Sequence, residues 1–222
     1  MANLVSPGVQ VKEIDLTNVV PSVSSTIGAM AGAFQWGPAN EITTVTSETQ
    51  LVEKFGQPNG DTFESVLSAA QFLSYGNNLK VVRAVGTSAR NATASGTGIL
   101  TQNKTVFDGQ SPAAADYVQA RHPGVIGNSV GVSFATAGQT MTAWQASNVE
   151  SVPGTSAGAA AVGGSNDEIH IWVYDVNGSI TGTVGEVLEY WTYLSQASDV
   201  KSSDGSTLYY KDVINQGSKW IF

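Results

Sequence analysis

Period-two alternation and helical stripes divide this chain into two kinds of sequence. Thr26 to Phe34 is a run of small apolar residues broken by Gly28 and Gly32, the composition of a buried strand with close backbone neighbours. Gly37-Pro38 ends it, and Ile42 to Val45 reads as a short second strand. Ser47-Glu48-Thr49-Gln50 has capping-box spacing. Leu51, Val52 and Phe55 follow on one helical face, and Gly56 then Pro58 stop the helix. Asp61 to Glu64 repeats the capping pattern. Phe63, Val66, Leu67, Ala70 and Leu73 then form a helical stripe closed at Gly76. Leu79 to Val85 is a continuous apolar run interrupted by Lys80 and Arg83, as in a central strand. Ser22 to Val85 is thus predicted to be strand, strand, helix, helix, strand, an α/β unit.

From Gly86 to Pro112 the composition turns to Thr, Ser, Asn, Ala and Gly, which reads as a connector or a reduced surface insertion. Beyond it, alternation dominates. Val130 to Phe134 alternates, and Ile169 to Val176 alternates strongly, with Ile169, Ile171 and Val173 on one face and His170, Trp172 and Tyr174 on the other. Asn177-Gly178 is a hairpin signal leading into a strand over Ile180 to Val184. Val152 to Ser165, rich in Gly, Ala and Ser, reads as a mobile loop. Asp199 to Ser206 reads as a polar turn, Leu208 to Gln216 as a short helix, and Lys219 to Phe222 as the start of an apolar strand. Trp220-Ile221-Phe222 puts three large apolar residues at the end, which reads as an element cut partway through a longer protein. The predicted fold class is α/β followed by a β-rich lobe. Its parts are an extended N-terminal arm over 1–22, the α/β unit over 23–87, and a mainly antiparallel β domain over 88–222 with a short polar link at 88–112. The α/β unit is expected to be completed by sequence C-terminal to this chain.

Met1 to Ser22 stands apart. Val9 and Val11 alternate with Gln10 and Lys12 between Pro7 and Pro21, a strand too short and polar to bury itself. No two-residue turn follows that would fold it back as a hairpin. A lone strand needs an edge, and a terminal arm can find that edge on another molecule. A frayed terminus or an edge strand of its own domain fits the same pattern. The candidate inter-subunit arm residues are Pro7, Gly8, Val9, Gln10, Val11, Lys12, Glu13 and Ile14. Asp15, Asn18, Pro21 and Ser22 form the candidate hinge.

Charged residues make up 13% of the 222, so the surface must be rich in Ser, Thr, Asn, Gln and Gly. That suits a surface covered by neighbours, and equally a Thr/Ser-rich β-protein. A net charge of −8 with no basic stripe argues against a nucleic-acid partner. The absence of Cys excludes disulfides and thiolate metal sites. No charged n-region precedes an apolar h-region, and no apolar stretch approaches bilayer length, so neither export signal nor membrane insertion is expected.

Several blocks together resemble the contractile-tail sheath proteins of myovirus-type bacteriophages. They are Ser6-Pro7-Gly8-Val9-Gln10-Val11-Lys12-Glu13, Gly32-Ala33-Phe34-Gln35-Trp36-Gly37-Pro38, and Leu51-Val52-Glu53-Lys54-Phe55-Gly56 with Ala69 to Tyr75 and Leu79 to Val85. Arg121-His122-Pro123-Gly124 with Gly127-Asn128-Ser129 is similar to the family's Tyr-Pro-Gly…Gly-Asn segment, His122 standing where an aromatic is commoner. Tyr174-Asp175 with Asn177-Gly178, Gly185 to Glu189, and Asp204-Gly205-Ser206 with Tyr209-Tyr210 continue the match. Sheath proteins are usually much longer, so the resemblance covers an N-terminal portion. It implies a structural subunit that forms stacked six-fold rings around a tail tube and contracts to drive the tube through the host envelope. Implied partners are neighbouring sheath subunits, the tail tube protein, and baseplate and tail terminator proteins. The implied place is the phage tail of the virion, assembled in the host cytoplasm. A tail terminator, a baseplate protein or a sheath-like subunit of a phage-derived contractile injection system fits almost as well.

No catalytic, cofactor or metal site is expected. Gly154-Thr155-Ser156-Ala157-Gly158 matches the Gly-x-Ser-x-Gly nucleophile pattern but lacks the flanking strand and helix of an elbow. His122 and His170 have no helical His partner. Asp175, Asn177 and Gly178 resemble the start of a calcium loop without its later ligands. Glu186 and Glu189 fall on opposite faces of a strand. Asn91-Ala92-Thr93 and Asn103-Lys104-Thr105 are glycosylation sequons, which need secretion to matter. No Walker pattern is present. A carbohydrate-binding β-domain using exposed Trp144, Trp172 and Trp191 remains a non-enzymatic alternative.

Overall fold

The computed structural model describes residues 26–94, 98–110, 118–149 and 151–222. The first region runs β1 (Gly28–Gly32), β2 (Ile42–Val45), α1 (Glu48–Phe55), α2 (Phe63–Leu73) and β3 (Leu79–Arg83), the order read from the pattern. β3 is central, with β1 parallel to it on one side and β2 antiparallel on the other. Val45, Leu79 and Val81 point to the inner face, where Leu51 and Phe55 of α1 and Val66 and Ala69 of α2 close the core with Phe34. Each large apolar side chain buried there contributes roughly 1.5–3 kcal/mol.

The two strand glycines have a packing cause. A Cβ at Gly28 would lie 2.5 Å from the Phe72 ring, and one at Gly32 would lie 2.5 Å from the Ser65 hydroxyl. α2 therefore rests directly on the β1 backbone. The strand is nevertheless not buried on both sides, because Ala29 and Ala31 on the other face are exposed. No layer covers that face among the described residues.

Both helix starts differ from the predicted boxes. The Ser47 side chain accepts from Gln50 N–H as expected, but Gln50 Oε1 accepts the Thr46 N–H at 2.9 Å, so the box closes one residue early. α2 has Thr62 at its cap without a side-chain cap bond. Asn59 does that work instead, its Oδ1 accepting the N–H groups of Asp61 and Thr62, each at 3.0 Å. The predicted stripe on α2 is also turned. Val66 and Ala69 face the core with Phe72 and Leu73 beside them, whereas Phe63 and Leu67 are 46% and 57% exposed. Apolar residues lie nearly all round this helix, so periodicity cannot choose the inner face.

Downstream come α3 (Lys104–Asp108), a 3-10 turn (Val125–Ser129), β4 (Val130–Thr136), α4 (Ala143–Ala146), α5 (Ala157–Ala161), β5 (Glu168–Asp175), β6 (Val187–Ser195) and α6 (Tyr210–Gly217). β4, β5 and β6 form an antiparallel sheet with β5 in the middle, so the β-rich lobe after the α/β unit is present. Ile169, Ile171 and Val173 face a core with Leu194, Ile214 and Ile221. Trp172 on the opposite face is fully buried, with Trp144 of α4 over it at 6.3 Å. Trp191 packs against the core, so the exposed tryptophans expected for a glycan surface are not there.

Three segments expected to be irregular or to form a strand turn out otherwise. The polar stretch after β3 holds α3, whose Asn103 cap also donates to Ala39 O at 3.0 Å, and whose Phe107 stacks on Phe222 at 4.1 Å. The Gly/Ala/Ser tract forms α5, capped by Ser156. Residues 176–186 form a loop rather than a second strand, because Asp175 gathers its backbone. The final residues pair as expected of a strand, Phe222 exchanging backbone bonds with Gln119 at 2.9 and 3.3 Å.

Candidate functional site

The candidate arm residues Pro7 to Ile14 and the hinge residues Asp15, Asn18, Pro21 and Ser22 lie outside the described residues. The described chain starts at Thr26 and leads straight into β1. β1 has β3 as its one sheet neighbour among the described residues, and β2 likewise ends the sheet on the other side. β4 and β6 are the corresponding outer strands of the antiparallel sheet. Outer strands keep a row of N–H and C=O groups available to an added strand.

The best-built polar site is a joint between the two sheets. Arg83, at the end of β3, is 3% exposed. Its Nε donates to Phe34 O at 2.9 Å and Nη1 to Gly37 O at 2.9 Å. Nη2 donates to Gln35 O at 3.2 Å and to Pro123 O at 2.7 Å. Three of these carbonyls belong to the turn after β1, and the fourth to the segment that leads into β4. Burial pulls the guanidinium down to about 10, still charged at neutral pH. Gly124 adopts φ +131, and a Cβ there would approach Arg83 Nη2 at 3.1 Å. Glycine at this position thus answers both a backbone conformation and a close contact.

Aromatic packing continues the joint. Trp36 meets the His122 ring edge-on at 4.9 Å and Trp220 at 5.1 Å. Burial, then Arg121 and Arg83, push His122 down to about 3, so it is neutral. Arg121 donates to Ser218 O at 2.6 Å, beyond the end of α6, and lies 4.4 Å over the Phe222 ring. The blocks Gly32–Pro38, Arg121–Gly124 and Trp220–Phe222 therefore meet in space. Sequence reading recorded Arg83 only as an interruption; a charge inside an apolar central strand was the available signal.

The catalytic alternatives resolve into folding roles. Ser156 does precede a helix, contrary to expectation, but as its cap: Oγ accepts Ala159 N–H at 3.1 Å and donates to Asp167 Oδ2 at 2.7 Å. No histidine bonds to it; His170 instead accepts the Tyr193 N–H at Nδ1 and has Ser151 O at 3.1 Å from Nε2. Asp175 is fully buried. It accepts the N–H groups of Gly178, Ile180 and Thr181 at 3.0, 2.9 and 2.8 Å, and the Ser129 hydroxyl at 2.5 Å. Burial alone would raise its carboxyl, but the Ser129 hydroxyl and the Thr181 and Ile180 amides outweigh that and hold it at about 2. Glu189 accepts Ser218 Oγ and Lys219 N–H. Asn91 is buried and bonds Thr101 and Ala120, so that sequon asparagine is structural. Among the described residues no group of three His, Cys, Asp or Glu could hold a metal, and no helix is long and apolar enough to cross a membrane.

Among the described residues the polar clusters serve as caps and joints within the fold. Residues 25–84 match the family described as "Tail sheath protein Gp18 domain III N-terminal region". The chain is 36% identical to the tail sheath protein of Salmonella phage ViI over 186 residues, 82% of this chain and 28% of that protein. It is 50% identical to the tail sheath protein of Enterobacteria phage T4 over 82 residues, 37% of this chain and 12% of that protein. Among solved structures it is similar to the sheath tail protein Lin1278 from Listeria innocua at 14% identity, covering 80% of this chain and 28% of that one, TM-score 0.40. The resemblance to phage tail sheath proteins drawn from the motifs is shown by the family match and the two curated relatives. The chain spans between about an eighth and about three tenths of the length of these curated relatives.

Proposed function

We propose that the chain is part of a structural subunit of a phage contractile tail sheath. In this reading the subunits polymerise as stacked six-fold rings around a tail tube, and contraction drives the tube through the host envelope. The observation that carries it is the match to the ViI tail sheath protein over 82% of this chain. Partners are neighbouring sheath subunits, the tail tube protein, and baseplate and terminator proteins. The place of action is the virion, after assembly in the host cytoplasm. The subunit is not an enzyme and needs no cofactor; work comes from a metastable lattice.

Residues Pro7 to Ile14 act as a strand added to a neighbouring copy, with Asp15, Asn18, Pro21 and Ser22 absorbing rotation while the strand stays attached. Several main-chain hydrogen bonds at about 0.5–1.5 kcal/mol each would hold every copy to the next. The three regions act as arm (1–22), α/β unit (23–87) and β-rich lobe (88–222). The Ala29/Ala31 face of the first sheet, which no layer covers among the described residues, supports completion of the α/β unit by further sequence of the kind the longer relatives carry. A phage-derived injection machine would use the same subunit design.

The test is deletion of Met1 to Ser22 from a sheath-length protein containing this chain. Thermal unfolding and electron microscopy are then compared with the parent. Unchanged folding with loss of tubes is expected. Tubes formed normally by the truncated protein overturn the arm.

A further inference from the structure

The sequence holds two Asn-Gly dipeptides, Asn59-Gly60 and Asn177-Gly178, and the fold treats them oppositely. In such a pair the glycine nitrogen reaches the asparagine Cγ easily, because glycine has no Cβ in the way and wide backbone freedom. We infer that Asn59 is a site of spontaneous deamidation in the folded protein, whereas Asn177 is locked against the same reaction.

At the first pair the attacking group is free. Asn59 and Gly60 are exposed, and the Gly60 N–H donates to no group among the described residues. A Cβ built on Gly60 would meet nothing within 4 Å, so the approach to its nitrogen is open; the peptide's own tether is the Asn59 carbonyl, which accepts Phe63 N–H at 2.9 Å and is released as the peptide turns. The side chain is already polarised. Its Oδ1 accepts the N–H groups of Asp61 and Thr62 and, at 2.9 Å, the Thr62 hydroxyl. Those donors stand on the oxygen that gains negative charge when Cγ is attacked.

At the second pair the attacking nitrogen is tied down. The Gly178 N–H donates to Asp175 Oδ1 at 3.0 Å, and that carboxylate is buried and anchored by four further donors. Gly178 sits at φ +78 with the backbone of Gly182 and Thr183 at 3.4 Å from its Cβ position, so the loop closes over it. Asn177 Oδ1 carries donors of its own, the Ser179 hydroxyl at 2.8 Å and the Ser129 hydroxyl, so the two sites differ in the tether on the glycine nitrogen and not in polarisation of the amide. Reaction requires Gly178 to leave a carboxylate that stays ionised at neutral and alkaline pH.

The chemistry needs only water. Gly60 N gives its proton to water or hydroxide and bonds to Asn59 Cγ; the Cγ–Nδ2 bond breaks and ammonia leaves with a proton from water. Water then opens one of the two ring carbonyls of the succinimide, giving aspartate or isoaspartate at 59. Aspartate keeps acceptors for Asp61 and Thr62. Isoaspartate reroutes the backbone through the side chain and removes the cap of α2, whose Thr62 makes no side-chain cap bond of its own.

The folded chain is incubated at mildly alkaline pH, in buffer and in denaturant. Peptide mapping by mass spectrometry, with aspartate and isoaspartate peptides separated, follows both sites. Conversion at Asn177 is expected to be about tenfold to about a hundredfold slower than at Asn59 in buffer, and equal to it in denaturant. Equal rates in the folded chain, or faster conversion at Asn177, overturn the inference. Asp175→Asn is expected to speed Asn177 without changing Asn59; no acceleration in a folded variant overturns the lock. If that variant does not fold, the buffer-to-denaturant ratio at Asn177 in the parent chain decides alone.

Discussion

Arg83 in the α/β unit and Asp175 in the antiparallel sheet are both buried charges, and neither is in an ion pair among the described residues. They are satisfied by opposite halves of the peptide group. Arg83 collects four carbonyls from two segments far apart in sequence, whereas Asp175 collects three N–H groups from the loop that follows it. The cation thus joins two regions, whereas the anion shapes the loop after it and, through the Ser129 hydroxyl, ties that loop to the start of β4. Charge-assisted hydrogen bonds are about twice as strong as neutral ones, so each residue decides a conformation that no apolar pattern specifies. The lesson is that buried charge, not periodicity, sets the irregular parts of this fold.

The largest effect is expected where two regions depend on one side chain. Arg83→Met leaves the carbonyls of Phe34, Gln35, Gly37 and Pro123 without that donor set, at a cost of about 3–5 kcal/mol. Arg83→Lys, with three donors on one atom, recovers only part of it. Urea unfolding reads this as a lower midpoint at unchanged slope. A loss below about 1 kcal/mol would mean the carbonyls find water and the joint is looser than drawn.

Acidification separates the two regions further. His122 in the joint titrates at about 3 when folded against about 6.5 unfolded. The unfolded chain therefore binds the proton first, and stability falls as pH drops from about 6.5 towards 3. The Asp175 carboxyl lies at about 2 folded against about 3.9 unfolded. Its contribution is complete above pH about 4 and disappears as pH falls through about 2. Asp175→Asn should cost about 2 kcal/mol at pH 7 and little at pH 2, while His122→Tyr should flatten the upper window. Unfolding midpoints across pH 7 to 2 check both. An Asp175→Asn cost that is independent of pH would show that loop shape, not charge, was lost.

This contrast explains what was legible. Strand, helix and strand order from Gly28 to Arg83 followed from runs of apolar residues, because β3 and α1 bury one face or both. β4, β5 and α6 were visible for the same reason. The loop over 176–186 was not: Asn177-Gly178 reads as a tight turn unless Asp175 is known to be buried beside it. Ser156 was read against a motif and proved a helix cap, because Asp167, eleven residues on, fixes it. The arm rests on its motif and its alternation alone, since its residues lie outside the described ones.

The smallest expected effect falls on α2, where sequence treated two faces alike. Val66 is 4% exposed against the core and Leu67 is 57% exposed beside it, although both stood in the same predicted stripe. Leu67→Ser should change stability by no more than about 0.5 kcal/mol, because the side chain buries little against the rest of the chain. Val66→Ala should cost about 1–2 kcal/mol through lost burial and the cavity left behind. Equal losses at the two positions would mean that α2 is rotated from the orientation described. A helix that is apolar on a free face also invites a covering surface. If Leu67→Ser leaves unfolding unchanged yet weakens tube formation in a sheath-length protein, the outer face of α2 is spoken for by another surface, and the stripe read from sequence was recording two contacts at once.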